Sequence, residues 1–241
     1  GWSETVTGLA FIGALIMGNS LLSLPFQIYD TFVIEESFGF NKTTPKTFFI
    51  DQIKGLLLAV ILGAPLLALI IWIFASIENA WLWAWLSFTG FQLLMTYLAP
   101  SVILPLFNKF QPMEDGELKS SIQEMAKKCD FPLTEIHVMD GSKRSTKSNA
   151  FFTGFGKHKK IALFDTLIDN HSNEELLAVL AHEVGHFKKK HIIQRMAFSI
   201  IQTAAIFFLL GMVTNKESDF ARGLFDAFGV SDISTYAGLV F

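Results

Sequence analysis

Four stretches of this chain are apolar almost without a break, and a long segment of mixed polarity separates the third from the fourth. Val6–Tyr29, Gly55–Ile77 and Ala80–Phe107 read as continuous, and Ile192–Val213 is interrupted by Gln194, Arg195 and Gln202. Each is at least as long as the roughly 20 residues a helix needs to cross about 30 Å of hydrocarbon. Uncharged runs beyond about 18 residues mark membrane helices rather than the buried helices of a soluble core. The pattern predicts an α-helical integral membrane protein, a multi-span helical bundle with spans at about 6–29, 55–77, 80–107 and 192–213.

The mixed segment, 108–191, patterns as a small α+β domain. Gly116–Cys129 has helical apolar spacing at Leu118, Ile122, Met125 and Ala126. "LTEIHVMDG" (133–141) alternates as a half-buried strand does, and "NAFFTGFGKHKKIALFDTL" (149–167) reads as a hairpin of two apolar strands around Gly156–Lys160. Ser172, with Glu175 three residues on, is a capping-box signature that opens a helix at Asn173. No proline follows before the fourth apolar stretch, so one long helix is expected to run from 173 into the bilayer. The expected organisation is a membrane region over 1–107, a domain over 108–191, and a fourth span with the start of a further region over 192–241.

Composition agrees: 51% of residues are hydrophobic, 17% are charged, and 25 are phenylalanine. The net charge of −3 says little, but its distribution says more. If the spans alternate across the bilayer, segment 30–54 carries three Lys or Arg residues and 108–191 thirteen, 16 of the 19 in the chain, while 1–5 and 76–79 carry none. The positive-inside rule then places 108–191 in the cytosol. The membrane expected is a bacterial inner membrane or, in a eukaryote, the endoplasmic reticulum, a choice that the charge distribution itself does not make. The single cysteine, Cys129, allows no internal disulfide. No nucleotide-binding glycine pattern is present and no nucleic-acid partner is expected. Arg195 is nearly alone as an ionisable residue in the spans, which argues against a proton-coupled transporter. The chain starts at Gly1 without methionine and stops in an apolar "STYAGLVF", so it reads as part of a longer polytopic protein.

The chemistry concentrates in "LAVLAHEVGHFKKKH" (177–191). On a helix, residues four apart share a face, so His182 and His186 can offer imidazoles to one ion with Glu183 beside them. This H-E-x-x-H spacing is that of zinc peptidases: two histidines bind Zn²⁺, and the glutamate takes the proton of the attacking water. A catalytic zinc site has three protein ligands and an open position. Glu175 lies two helical turns from His182, roughly 10 Å, and Glu217 follows the fourth span, so neither suits the third. A glutamate beyond Phe241 is expected instead. His191 either lines the same cavity or caps the polar face. His137, His158, His171 and Cys129 read as structural.

Three segments together resemble one family. "SLPFQIYDTFVIEESFGFNKTT" (23–44), "GSKRSTKSNAFFTGFGKHKKIALFDTL" (141–167) and the 177–191 stretch, in this order and spacing, are similar to the type I CAAX prenyl endopeptidases, integral-membrane zinc metalloproteases. The resemblance implies a bundle of seven membrane helices around a water-filled chamber. It implies removal of the last three residues from prenylated Cys-aliphatic-aliphatic-X proteins, with the lipid bilayer and a prenylated peptide as partners. It makes His182 and His186 zinc ligands and Glu183 the catalytic residue, with the third ligand in an E-x-x-A-D type segment. It also makes "SNAFF" (148–152) the strand beside the cleft: Asn149 hydrogen-bonds the substrate backbone, Ala150 leaves room for it, and Phe151 follows. The short link Leu167–Ser172 suggests a compact member. Two alternatives remain: an HtpX-like protease of membrane-protein quality control, and a non-catalytic membrane binding module.

Overall fold

The computed structural model describes residues 2–153, 159–215, 217–230 and 233–238. All four apolar stretches are helical, and the first two helices outrun theirs: Glu4–Ser37 (α1), Pro45–Ser76 (α2), Ala80–Phe107 (α3) and, after the mixed segment, His191–Val213. With 34 and 32 residues, α1 and α2 are each about 50 Å long, against about 30 Å of hydrocarbon. Segment 30–54, which the topology treats as a loop, is therefore mostly the end of one helix and the start of the next. Apolarity marks the part of a helix that suits lipid, not the point where the helix stops. Glu35 and Glu36 sit comfortably in the last turns because glutamate is a good helix former.

Each of these three helices contains a five-residue π turn, at Asp30–Ile34, Ala59–Gly63 and Ala99–Ile103. In two of them a proline explains it. A proline ring crowds the carbonyl four residues back; Pro65 and Pro105 press on Ile61 and Ser101, each inside its π turn, and the wider turn relieves the clash. Large side chains on the spans face outward: Leu22, Phe26 and Phe198 are 75%, 76% and 69% exposed. A water-soluble protein rarely tolerates so much contiguous apolar surface; a bilayer requires it.

The chain forms two compact units, 1–26 with 52–94 and 196–241, and 27–51 with 95–195. The first packs Ile70, Ile73, Ala84 and Phe207 together. Polar side chains tie its helices: Trp85 Nε1 donates to the Ile200 carbonyl at 3.1 Å, and Gln92 Nε2 to Ser199 Oγ at 2.9 Å, bonds that substitute for the hydrophobic drive absent between helices in lipid.

The second unit holds a four-stranded mixed sheet of β1 (Phe110–Pro112), β2 (Leu133–Met139), β3 (Ala150–Thr153) and β4 (Lys159–Phe164) in the order β1-β2-β4-β3. β2 and β4 are parallel, and the two edge strands pair antiparallel with them. The expected hairpin is β3 and β4, with Phe151 opposite Ala162; its connection, including His158, lies outside the described residues. Around the sheet come α4 (Glu117–Lys128), the short α5 (Asp165–Asn170) and α6 (Asn173–Lys188). Ile122 of α4 and Leu176 and Leu180 of α6 share a core with Ile136, Ala150, Ile161 and Leu163 of the sheet.

The single long helix expected from 173 into the bilayer is instead two. α6 ends at Lys188, Lys190 takes a left-handed conformation at φ 56°, and α7 (His191–Val213) starts anew. The Lys189 and Lys190 amides bond back to the Gly185 and Phe187 carbonyls, closing the helix end, where three lysines also complement the helix dipole. A left-handed residue without glycine defeats any reading that looks only for proline or glycine as a stop. Beyond α7, Ser218 caps α8 (Asp219–Ala227).

Candidate active site

α6 starts at the expected capping box: the Ser172 amide donates to Glu175 Oε2 at 2.9 Å, and the Glu175 amide to Ser172 Oγ at 3.4 Å. Leu176, Leu180 and Val184, at four-residue intervals, are its buried stripe. That stripe fixes the rotation of the helix and leaves His182, Glu183 and His186 off the core. Glu183 and His186 line a cavity of about 350 Å³ together with Phe151, Thr153, Lys159 and His191.

Among the described residues, His182, Glu183 and His186 are the group of His, Cys, Asp and Glu side chains close enough to share an ion, their ligand atoms all within 4.8 Å of one another. The two histidine Nε2 atoms lie 3.1 Å apart. Two nitrogens about 2.0–2.1 Å from one zinc at a tetrahedral angle stand about 3.4 Å apart, so the pair fits the ion with little movement. His186 Nδ1 is 2.6 Å from His191 Nδ1. If His186 keeps its Nε2 lone pair for a metal, its Nδ1 carries the hydrogen and donates it to His191, which fixes tautomer and ring orientation together.

The strand beside this cavity is β3. One of its edges is bonded to β4, and the other has no strand partner among the described residues. Asn149 is exposed just before it: its Oδ1 accepts from the Ala150 amide at 2.8 Å and its carbonyl from the Phe164 amide at 3.0 Å. Ala150 turns its methyl into the core, where it is 6% exposed, so what it can offer the cleft is backbone. Phe151 is half-buried and lines the cavity. His137 and His171 have partners elsewhere, at Glu135 Oε2 (2.8 Å) and the Leu167 carbonyl (3.1 Å). Glu217 lines a polar cavity of the other unit, beside Glu4 and Glu78.

Lys159 escaped the reading of the sequence. In "GKHKK" it looks like a solvated turn charge, and only the sheet brings it to the cavity. There its Nζ lies 5.0 Å from the centre of the Phe187 ring, and burial pushes its pKa down from 10.5.

Residues 1–109 match the family described as "CAAX prenyl protease N-terminal, five membrane helices", and residues 112–240 match "Peptidase family M48". The chain is 44% identical over 218 residues to CAAX prenyl protease 1 of Saccharomyces cerevisiae, covering 90% of this chain and 48% of that protein. It is 40% identical over 242 residues to the CAAX prenyl protease 1 homolog of Arabidopsis thaliana, covering 99% and 55%. Among solved structures it is similar to the crystal structure of S. mikatae Ste24p, with a TM-score of 0.81 and 45% identity, over 86% of this chain and 50% of that one. The chain thus spans about half the length of the curated relatives it matches.

Proposed function

We propose, for a chain that belongs to Peptidase family M48, that it supplies the metal-binding helix and the substrate strand of an integral-membrane zinc endopeptidase acting on prenylated CAAX proteins. The observation that carries this is the His182–Glu183–His186 cluster, of which Glu183 and His186 line a cavity beside the edge of β3 that has no strand partner among the described residues. The names of the relatives above support the prenylated substrate over both a quality-control protease and a binding module. His182 and His186 would hold the zinc, and the third ligand is proposed to be a glutamate beyond Phe241. A bound zinc would supply the positive charge that polarises a carbonyl and acidifies water.

The remaining steps belong to this chain's own residues. Glu183 accepts a proton from the attacking water on its carboxylate and returns it to the amine that leaves. His191 holds the His186 ring through the Nδ1 contact. β3 takes the peptide as an added strand, so main-chain bonds hold it whatever its side chains. Asn149, at the start of the strand, aligns the peptide with its side-chain amide; Ala150 offers its backbone carbonyl at the edge turned away from β4, and the Phe151 ring packs against the peptide. A buried prenyl chain adds about 0.8 kcal/mol per CH₂, which suits a substrate that presents only a short peptide.

The sheet-bearing segment 108–191 is proposed to face the cytosol on the charge asymmetry of the loops, and the eukaryotic relatives favour the endoplasmic reticulum. The test is zinc content and cleavage of a farnesylated CAAX peptide by the natural full-length protein. Glu183→Gln is expected to keep the zinc and lower kcat by at least about 10³-fold. Cleavage that survives this substitution would sink the assignment. A full-length protein that holds zinc but leaves the peptide intact would keep the metal site and reject the substrate.

A further inference from the structure

The link from β2 to β3, residues 140–149, is fastened at nearly every position, and the fastening centres on Arg144. Its guanidinium forks onto Asp51, Nε to Oδ2 at 2.7 Å and Nη2 to Oδ1 at 3.0 Å. Nη2 also donates to the Phe107 carbonyl and Nη1 to Asn108 Oδ1, both at 2.8 Å. The Arg144 carbonyl accepts from the Lys42 amide and from Thr43 Oγ1, each at 3.0 Å. One residue therefore joins the turn between α1 and α2, the start of α2 and the end of α3, all far from residue 144 in sequence.

The residues that follow continue the attachment. Ser145 bridges to Asn41, the Thr146 amide donates to the Phe40 carbonyl at 3.0 Å, and Lys147 pairs with Glu35 at 2.5 Å. Ser148 Oγ then donates to the Thr166 carbonyl at 3.1 Å, and β3 begins two residues later. The side chains of Arg144 and Asp51 are 24% and 22% exposed, so the fork is partly shielded from solvent. A planar guanidinium can make this set of bonds and an ammonium cannot.

We propose that Arg144 is a positioning residue for the substrate strand: the clasp on Asp51, Phe107 and Asn108 holds β3 at the spacing from α6 at which an added peptide meets the metal-binding histidines. This rests on the endopeptidase reading above. Arg144 touches neither substrate nor metal, so its loss should displace the peptide and spare the ion.

Two measurements test it. Backbone hydrogen exchange on the full-length protein in detergent should show the amides of Ala150–Thr153 exchanging at least about tenfold faster in Arg144→Lys, with α4 unchanged. In the full-length enzyme, Arg144→Lys should raise KM for the farnesylated peptide about tenfold, with kcat within about threefold and zinc content intact. Asp51→Asn should do the same, and the double variant should add little. Unchanged β3 exchange, unchanged KM, or a joint fall of kcat and zinc content would each overturn the positioning role; the last would make Arg144 a general support of the fold. If the unaltered enzyme ignores the peptide, the substrate reading falls, and the exchange measurement still decides the clasp.

Discussion

The role proposed for His191 runs through another residue. With His186 Nδ1 2.6 Å away and donating to His191 Nδ1, as a metal on Nε2 would require, His191→Ala should leave His186 free to turn and weaken zinc binding about 10–100-fold, measured by chelator competition. His191→Asn, which keeps an acceptor, should recover part of that loss. Lys159 makes a different prediction. Burial lowers its native pKa below 10.5, so between the lowered value and 10.5 the unfolded chain holds the proton more tightly. Stability from this group is therefore complete above 10.5 and is lost as pH falls through the native value. Melting curves from pH 7.5 to 10.5 should show a smaller rise for Lys159→Met than for the unaltered protein; an equal rise would mean that other groups set the slope.

Among the elements, the turn at Lys190 separates the metal-binding helix from the fourth span. A left-handed non-glycine residue costs roughly 1–2 kcal/mol, so Lys190→Gly should raise the unfolding free energy by up to about 1 kcal/mol. Lys190→Val, β-branched at φ 56°, should lower it and pull His191 out of register with His186, seen as reduced zinc content in the full-length protein. At the other end of α6, Ser172→Ala removes half of the capping box and should cost about 1 kcal/mol. That helix was legible: its cap, its buried stripe and its two histidines all recur locally at helical spacing. Its C-terminus was not, since no residue type announces a left-handed lysine.

For the molecule as a whole, the single cysteine offers a topology probe. Cys129 is half-buried at the end of α4. In sealed microsomes it should resist a membrane-impermeant maleimide confined to the lumen and react with one in the outside medium, whereas a cysteine introduced at Glu78 in a Cys129→Ser background should do the reverse. Labelling of both from the same side would overturn the alternating topology. The lengths of α1 and α2 bear on this too, because each carries about 20 Å of helix more than the hydrocarbon needs.

Local pattern was enough for the four spans, the helix and strands of the sheet-bearing unit, and the spacing of His182, Glu183 and His186, because each is written in residues that lie within a turn or two of one another. Contacts between distant residues were needed for the rest. The parallel pairing of β2 with β4, the three-residue strand ending at Pro112, the arrival of Lys159 at the cavity and the clasp of Arg144 on Asp51 join groups whose meeting no periodicity encodes. A hydrophobic pattern says which face of an element is buried. What that face is buried against, and which polar groups are carried along with it, follows only when the chain closes on itself.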